Sequence, residues 1–170
     1  MRSSISRSIK NRTTAKDVFY TPEAVALKHI SLIPSMDTDL WLDPFRGKGI
    51  YYDNFTTYSK EWCEIAEDRD FFTYEGSPDI ICSNPPYSIL DQVFQKSIEL
   101  RPRIISYLLL HGAMTPRRME MFNDAGYGLI SIHTTKVYKW YGMAESYTFE
   151  KGKSNLASIT YDRIVHYSDL

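Results

Sequence analysis

Cysteine is scarce in this chain of 170 residues, which has two, Cys63 and Cys82. Both lie in apolar runs without the paired spacing of a metal knuckle or the density of a disulfide framework. They read as reduced core thiols, which argues against structural zinc and against a secreted, disulfide-held scaffold. Histidine is also sparse, with four scattered copies, none of which reads as a ligand. No apolar run reaches the roughly 20 residues of a membrane span. The basic N-terminus is followed by no apolar stretch, so it is not a secretory leader. The expectation is a cytoplasmic protein with no membrane contact. Charge of one sign is missing too: the net charge is −1. That balance is not the strongly basic one of a self-sufficient DNA binder. No internal repeat or low-complexity segment is present.

What is there is unevenly placed. Arg2, Arg7, Lys10, Arg12 and Lys16 are unbroken by any acid. Residues 1–16 read as a flexible basic arm, equally a phosphate-contacting segment or a solvated tail. The remainder, 17–170, is long enough for one domain with a sizeable core. Thr21-Pro22-Glu23 reads as a helix start, with threonine as N-cap and proline at the first helical position. Ala26, Leu27, Ile30 and Ile33 follow at helical spacing until Pro34 stops them. Leu40-Trp41-Leu42 reads as a strand. It ends in Asp43-Pro44-Phe45-Arg46-Gly47-Lys48-Gly49, where glycines allow close approach of a ligand. The acid suits a cationic or amine-bearing ligand, and no Walker sequence is formed.

Ile50 to Tyr58 reads as a short helix and Trp62-Cys63-Glu64-Ile65 as a second strand. An acid ending such a strand suits ribose hydroxyls. Glu64 fits, with Glu67 and Asp68 as competitors. Asp70-Phe71-Phe72 follows so soon that the usual intervening helix is missing. Ile80 to Cys82 reads as a buried strand that leaves the sheet at Asn84-Pro85-Pro86-Tyr87, where two prolines forbid helix and ladder alike. An aromatic amine is a poor nucleophile because its lone pair is delocalised. An amide oxygen and a backbone carbonyl accepting its hydrogens would localise that pair, and an aromatic side chain would stack on the ring.

Downstream, Ser88 and Asp91 form a capping-box pattern before Val93, Phe94 and Ile98. Ile104 to Leu110 reads as a central strand buried on both faces. Thr115-Pro116 opens a further helix ending near Gly126, with Arg117 and Arg118 solvated in its first turn. Leu129 to Tyr138 reads as a strand, with Ala157 to His166 as its antiparallel partner. The intervening Lys139-Trp140-Tyr141-Gly142-Met143 reads as an aromatic cluster followed by a polar loop.

Asn84-Pro85-Pro86-Tyr87 resembles motif IV of the S-adenosylmethionine-dependent amino-methyltransferases, above all the adenine-specific DNA methyltransferases. Phe19-Tyr20-Thr21-Pro22 resembles their motif X, and the Asp43 to Gly49 turn their motif I. Glu64 matches motif II, Asp70-Phe71 motif III, and Trp140 or Tyr141 the aromatic of motif VIII. The resemblance implies a Rossmann-like α/β fold: a mostly parallel twisted sheet with an antiparallel C-terminal strand and helices on both faces. It implies S-adenosyl-L-methionine held by Tyr20, Thr21, Pro22, Asp43, Pro44, Phe45, Gly47, Gly49, Glu64, Asp70 and Phe71. Asn84 and the Pro85 carbonyl, set by Pro86, would hold the amine. Tyr87 and Ser88 would meet the base, with Trp140 or Tyr141 opposite. The implied reaction is direct methyl transfer to the N6 amine of adenine in DNA. RNA adenine, a protein glutamine amide and, less favoured, cytosine are alternatives, as is a non-catalytic binding subunit. The motif order matches enzymes in which a recognition domain follows the core. None is expected here, so a homodimer or partner subunit would supply target recognition.

Overall fold

The computed structural model describes residues 21–136 and 143–161. The basic arm, Tyr20, Trp140 and Tyr141 lie outside the described residues. Among the described residues, seven strands form one sheet: β1 (Trp41–Asp43), β2 (Lys60–Trp62), β3 (Ile80–Ser83), β4 (Ile104–Leu110), β5 (Tyr127–Lys136), β6 (Met143–Lys151) and β7 (Ser158–Tyr161). Their order is β2-β1-β3-β4-β6-β5-β7. β1 to β4 run parallel. β6 is antiparallel to both its neighbours, and β7 is parallel to β5.

Among the described residues, four α-helices cover the two faces: α1 (Glu23–Ser31), α2 (Ile50–Asn54), α3 (Leu90–Glu99) and α4 (Pro116–Asp124). Because side chains alternate along a strand, the central strands β1, β3 and β4 feed both layers. Trp41, Ile80, Ile104 and Leu108 pack with Val25, Ala26 and Ile30 of α1 and Tyr51 of α2. Leu42, Ile81, Ile105, Tyr107 and Leu109 pack with Val93 and Phe94 of α3 and Phe122 of α4. Phe122 stacks on Phe149 of β6 at 4.0 Å between ring centroids, 6° from parallel. Such a pair adds about 0.5–1.5 kcal/mol beyond area burial.

Several local expectations are corrected. The antiparallel partner of β5 is β6, not the segment after Ala157. Residues read as a polar loop after Met143 are instead buried from Ala144 to Phe149. Glu145, Ser146, Thr148 and Glu150 hid the strand, yet its polar groups have internal partners. Thr148 bonds Ser106 at 2.8 Å, and Glu145 takes the Tyr147 hydroxyl and His111. Satisfied polar groups can be buried at little cost.

Ser88 and Asp91 form no capping box, because a 3-10 turn, Tyr87–Ile89, precedes α3 and makes Ile89 its N-cap. Asp91 pairs instead with Arg118 at 2.7 Å. Arg118 is therefore held rather than solvated, while Arg117 remains exposed. The first helix is capped by Pro22, not Thr21, with no side-chain cap bond. Thr115 caps α4 as expected, accepting from the Arg118 N–H at 3.4 Å.

β2 lies at the sheet edge, and among the described residues no strand flanks its outer side. The chain passes from it through two single-turn 3-10 helices, Ile65–Glu67 and Phe71–Thr73. The trimmed connection read from the sequence is thus present.

Candidate functional site

The carboxyl ends of β1, β2 and β3 lie side by side, and hydrogen bonds tie their loops together. Asp43 closes β1 and is fully buried. Its carboxylate accepts from the Ser83 hydroxyl at 2.7 Å and from the Phe45 and Tyr52 N–H groups at 3.2 Å each. Burial pushes its carboxyl up to about 7, the three bonds pull it back, and the charge of Glu64 adds to the rise. Asp43 therefore fixes the whole turn from β1 into α2. A bound cation would feel its charge through the low-dielectric interior rather than by contact.

Gly47 and Gly49 take φ of 51° and 93°, the left-handed region that side chains disfavour. A Cβ at Gly49 would stand 2.7 Å from a carboxylate oxygen of Asp53. The Gly47 N–H donates to Glu64 at 2.8 Å, and the other Glu64 oxygen accepts from the Ala66 N–H at 3.1 Å. Glu64 thus clamps the glycine turn to the end of β2. Its competitor Glu67 pairs with Arg46 at 3.1 Å, whose guanidinium lies 4.6 Å over Trp62. Asp70 caps its 3-10 turn, accepting from the Phe72 N–H at 2.9 Å. Phe71 is a core residue, 2% exposed, and meets Phe45 of the glycine turn edge-on at 5.4 Å.

Asn84 follows β3 directly, so the Ser83–Asp43 bond ties it to the glycine turn. Pro85 is buried, Pro86 and Tyr87 are half-buried, and Ser88 is exposed. The Asn84 amide nitrogen donates to the Thr21 hydroxyl at 3.0 Å. The Tyr87 hydroxyl donates to the Asn84 amide oxygen at 3.0 Å. An amide oxygen has two lone pairs, so one remains for a further donor.

Thr21, Asp43, Gly47, Glu64, Asn84 and Tyr87 are thus joined into one connected edge by Ser83, which the sequence reading passed over. Its signal was the place of a small hydroxyl residue at the last sheet position before Asn84. Phe71 is enclosed rather than presented. These residues fit a sulfonium nucleoside: positive-φ glycines, a buried acid behind them and a carboxylate at the end of β2. Among the described residues, no group of three or more His, Cys, Asp or Glu could hold a metal ion. None of their helices is long and apolar enough to cross a membrane.

No protein-family model matches the sequence, and no curated protein is similar to it by sequence. Solved structures do match its shape. A proposed RNA methyltransferase from Pyrococcus horikoshii is 15% identical with a TM-score of 0.62, covering 89% of this chain and 99% of that one. A modification subunit of a proposed type I restriction enzyme from Vibrio vulnificus is 14% identical with a TM-score of 0.60. That match covers 97% of this chain and 51% of the subunit, so the chain spans about half its length. Magnesium protoporphyrin IX methyltransferase from Synechocystis, solved with bound S-adenosylmethionine, is 8% identical with a TM-score of 0.56, over 89% and 86% of the two chains. At these identities the likeness is one of shape, and it agrees with the strand order: the chain has the Rossmann-like α/β fold found in methyltransferases.

Proposed function

We propose that the protein transfers a methyl group from S-adenosylmethionine to the exocyclic N6 amine of adenine in DNA. The observation that carries this reading is the Asn84 amide, held with its oxygen partly free at the carboxyl edge and bonded through its neighbour Ser83 to the anchor of the glycine turn. The turn of Asp43, Pro44, Phe45, Gly47 and Gly49 would hold the cofactor, with Tyr20, Thr21 and Pro22 at its methionine end. Glu64 would meet the ribose, and Asp70, with Phe71 behind, the adenine ring. When bound, the cofactor supplies a methyl carbon on a sulfonium, which leaves as a neutral thioether as the amine nitrogen takes the methyl and sheds a proton to water.

The chain's own part is to bind and aim. The Asn84 oxygen and the Pro85 carbonyl accept the two amine hydrogens and draw the nitrogen lone pair out of the ring. Tyr87, tethered by its hydroxyl to the amide, offers its ring for stacking, worth about 1–3 kcal/mol per base. Ser88, with Trp140 or Tyr141, would complete the base pocket. A base inside a duplex is out of reach, so the target is flipped or single-stranded. The likeness to a restriction-modification subunit favours DNA, and a homodimer or partner subunit that takes part in target recognition belongs to the same reading. RNA adenine is the second reading, favoured by the match over nearly the full length of the archaeal protein.

The test is incubation with labelled cofactor and parallel DNA and RNA polymers, single- and double-stranded. N6-methyladenine in DNA is the expected product. Label appearing in RNA alone would move the assignment to the second reading. Label in neither polymer, from a protein that binds the cofactor, would overturn both. Asn84→Ala should keep cofactor affinity by calorimetry within about twofold and lose turnover by about a hundredfold or more, as when an oriented transition-state contact is removed.

A further inference from the structure

Thr21 opens the first helix with the residue type and place of an N-cap, yet its hydroxyl does not cap. The N-cap is Pro22, with no side-chain bond, and the Pro22 carbonyl accepts from the Val25 and Ala26 N–H groups at 3.0 and 3.1 Å. The Thr21 hydroxyl reaches instead to the Asn84 amide nitrogen, 63 positions away in sequence, at 3.0 Å. Thr21 is itself buried at 9% exposed. A local rule broken at a buried residue marks a place where another constraint has won.

That constraint is the placement of an amide. Asn84 presents an oxygen that accepts and a nitrogen that donates, of nearly the same shape. A substrate amine offers only hydrogens to its acceptors, so an amide turned by 180° would set N–H against N–H and repel it. The Tyr87 and Thr21 hydroxyls can each donate or accept, so what they fix is where the amide sits and how its plane lies. One hydroxyl stands at each end of the amide, Thr21 at 3.0 Å from its nitrogen and Tyr87 at 3.0 Å from its oxygen, and removing the first leaves that end unheld.

Resting on the reading of Asn84 as the amine-holding group, we propose that Thr21 is a positioning residue for transfer. Its side-chain hydroxyl holds the Asn84 amide in the place and plane from which its oxygen meets the substrate amine, separately from any backbone contact the same segment makes with the cofactor. The role lies in orientation, so it should appear in turnover and not in binding.

The experiment compares Thr21→Val, which keeps the shape and removes the hydroxyl, with Thr21→Ser, which restores it. Thr21→Val should lower kcat about tenfold, the effect of one neutral hydrogen bond lost from an oriented contact. The KM for polynucleotide and the calorimetric affinity for S-adenosylmethionine should stay within about twofold. Thr21→Ser should recover most of kcat. A second readout needs no activity. In 15N-labelled protein the Asn84 side-chain amide pair, assigned by its loss in Asn84→Ala, should shift in Thr21→Val and return in Thr21→Ser. Wild-type kcat in Thr21→Val, no recovery in Thr21→Ser, or a defect confined to cofactor affinity would each overturn the proposal. Should the wild-type protein methylate no nucleic acid, the functional reading falls. The amide signals would then still decide whether Thr21 orients Asn84: unmoved signals in Thr21→Val would overturn the lock on their own.

Discussion

Asp43 and His29 are both fully buried, and their titrations pull stability in opposite directions. Burial pushes the Asp43 carboxyl from 3.8 up to about 7, against the bonds from Ser83, Phe45 and Tyr52. The folded chain then holds a proton that the unfolded chain releases, so acidification between 7 and 3.8 adds stability. Burial, with the charge of His133, draws His29 from 6.5 down to about 3. Its ring sits between the Tyr51 hydroxyl at 2.9 Å and the Ser106 hydroxyl at 2.7 Å. Here the unfolded chain takes up the proton, so acidification between 6.5 and 3 removes stability. Each slope is about 1.4 kcal/mol per pH unit, and across the shared window they offset. Asp43→Asn should uncover the histidine, with urea midpoints falling as pH drops below 6.5. His29→Gln should uncover the carboxylate, with midpoints rising as pH drops below 7. Parallel midpoint curves for the two variants would refute the opposition. At this scale the exit of the chain from the sheet at Asn84 was legible because two prolines leave few conformations. The partner of Thr21 was not legible: the chain shows that a threonine can cap, not that a distant amide claims its hydroxyl first.

Elements were legible where burial is uniform and hidden where polarity is satisfied inside. β4 is apolar almost throughout and was read with its observed ends. β6 was missed because an alternation of glutamate, serine and threonine looks solvated until Ser106, His111 and Tyr147 are set beside it. The β5–β6 hairpin then makes its own demand. A Cβ on Gly128 in β5 would lie 2.3 Å from the Lys153 carbonyl oxygen and 2.6 Å from the Ser154 carbonyl carbon. Both are backbone atoms, and the same segment is pinned by Asn155 accepting from the Leu129 N–H at 2.8 Å. Neither side can yield by a rotamer change. Gly128→Ala should cost about 1–3 kcal/mol by urea denaturation, the usual range for overpacking. Gly112→Ala is the comparison: its φ is 78°, but nothing lies within 4 Å of the added carbon. It should lose only about 1–2 kcal/mol, from left-handed strain alone. Gly128 itself has no positive φ, so unchanged stability in Gly128→Ala would show that the Lys153 contact does not dictate glycine at position 128.

Across the whole molecule, the turns after β1 and β3 were readable because each stands where a strand ends, punctuated by glycine or proline. What joins them was not, since pairs distant in sequence such as Ser83 with Asp43 leave no local pattern. The charge balance sets the last expectation. A net charge of −1 gives little general attraction to nucleic acid, yet Arg2, Arg7, Lys10, Arg12 and Lys16 stand together. If they reach phosphates, they supply much of the association, and each contact made on duplex DNA steepens the logarithmic salt dependence by about 0.9. Removing residues 1–16 should therefore raise KM for duplex DNA and flatten its salt slope, by up to about 4.5 if all five engage. The kcat at saturating DNA should hold, because Asn84, Tyr87 and Thr21 remain. Single strands should lose less, about 0.7 per contact. Salt slopes that superimpose with and without the segment would mean the five cations are solvated. DNA would then be held by residues 17–170 or by a partner subunit.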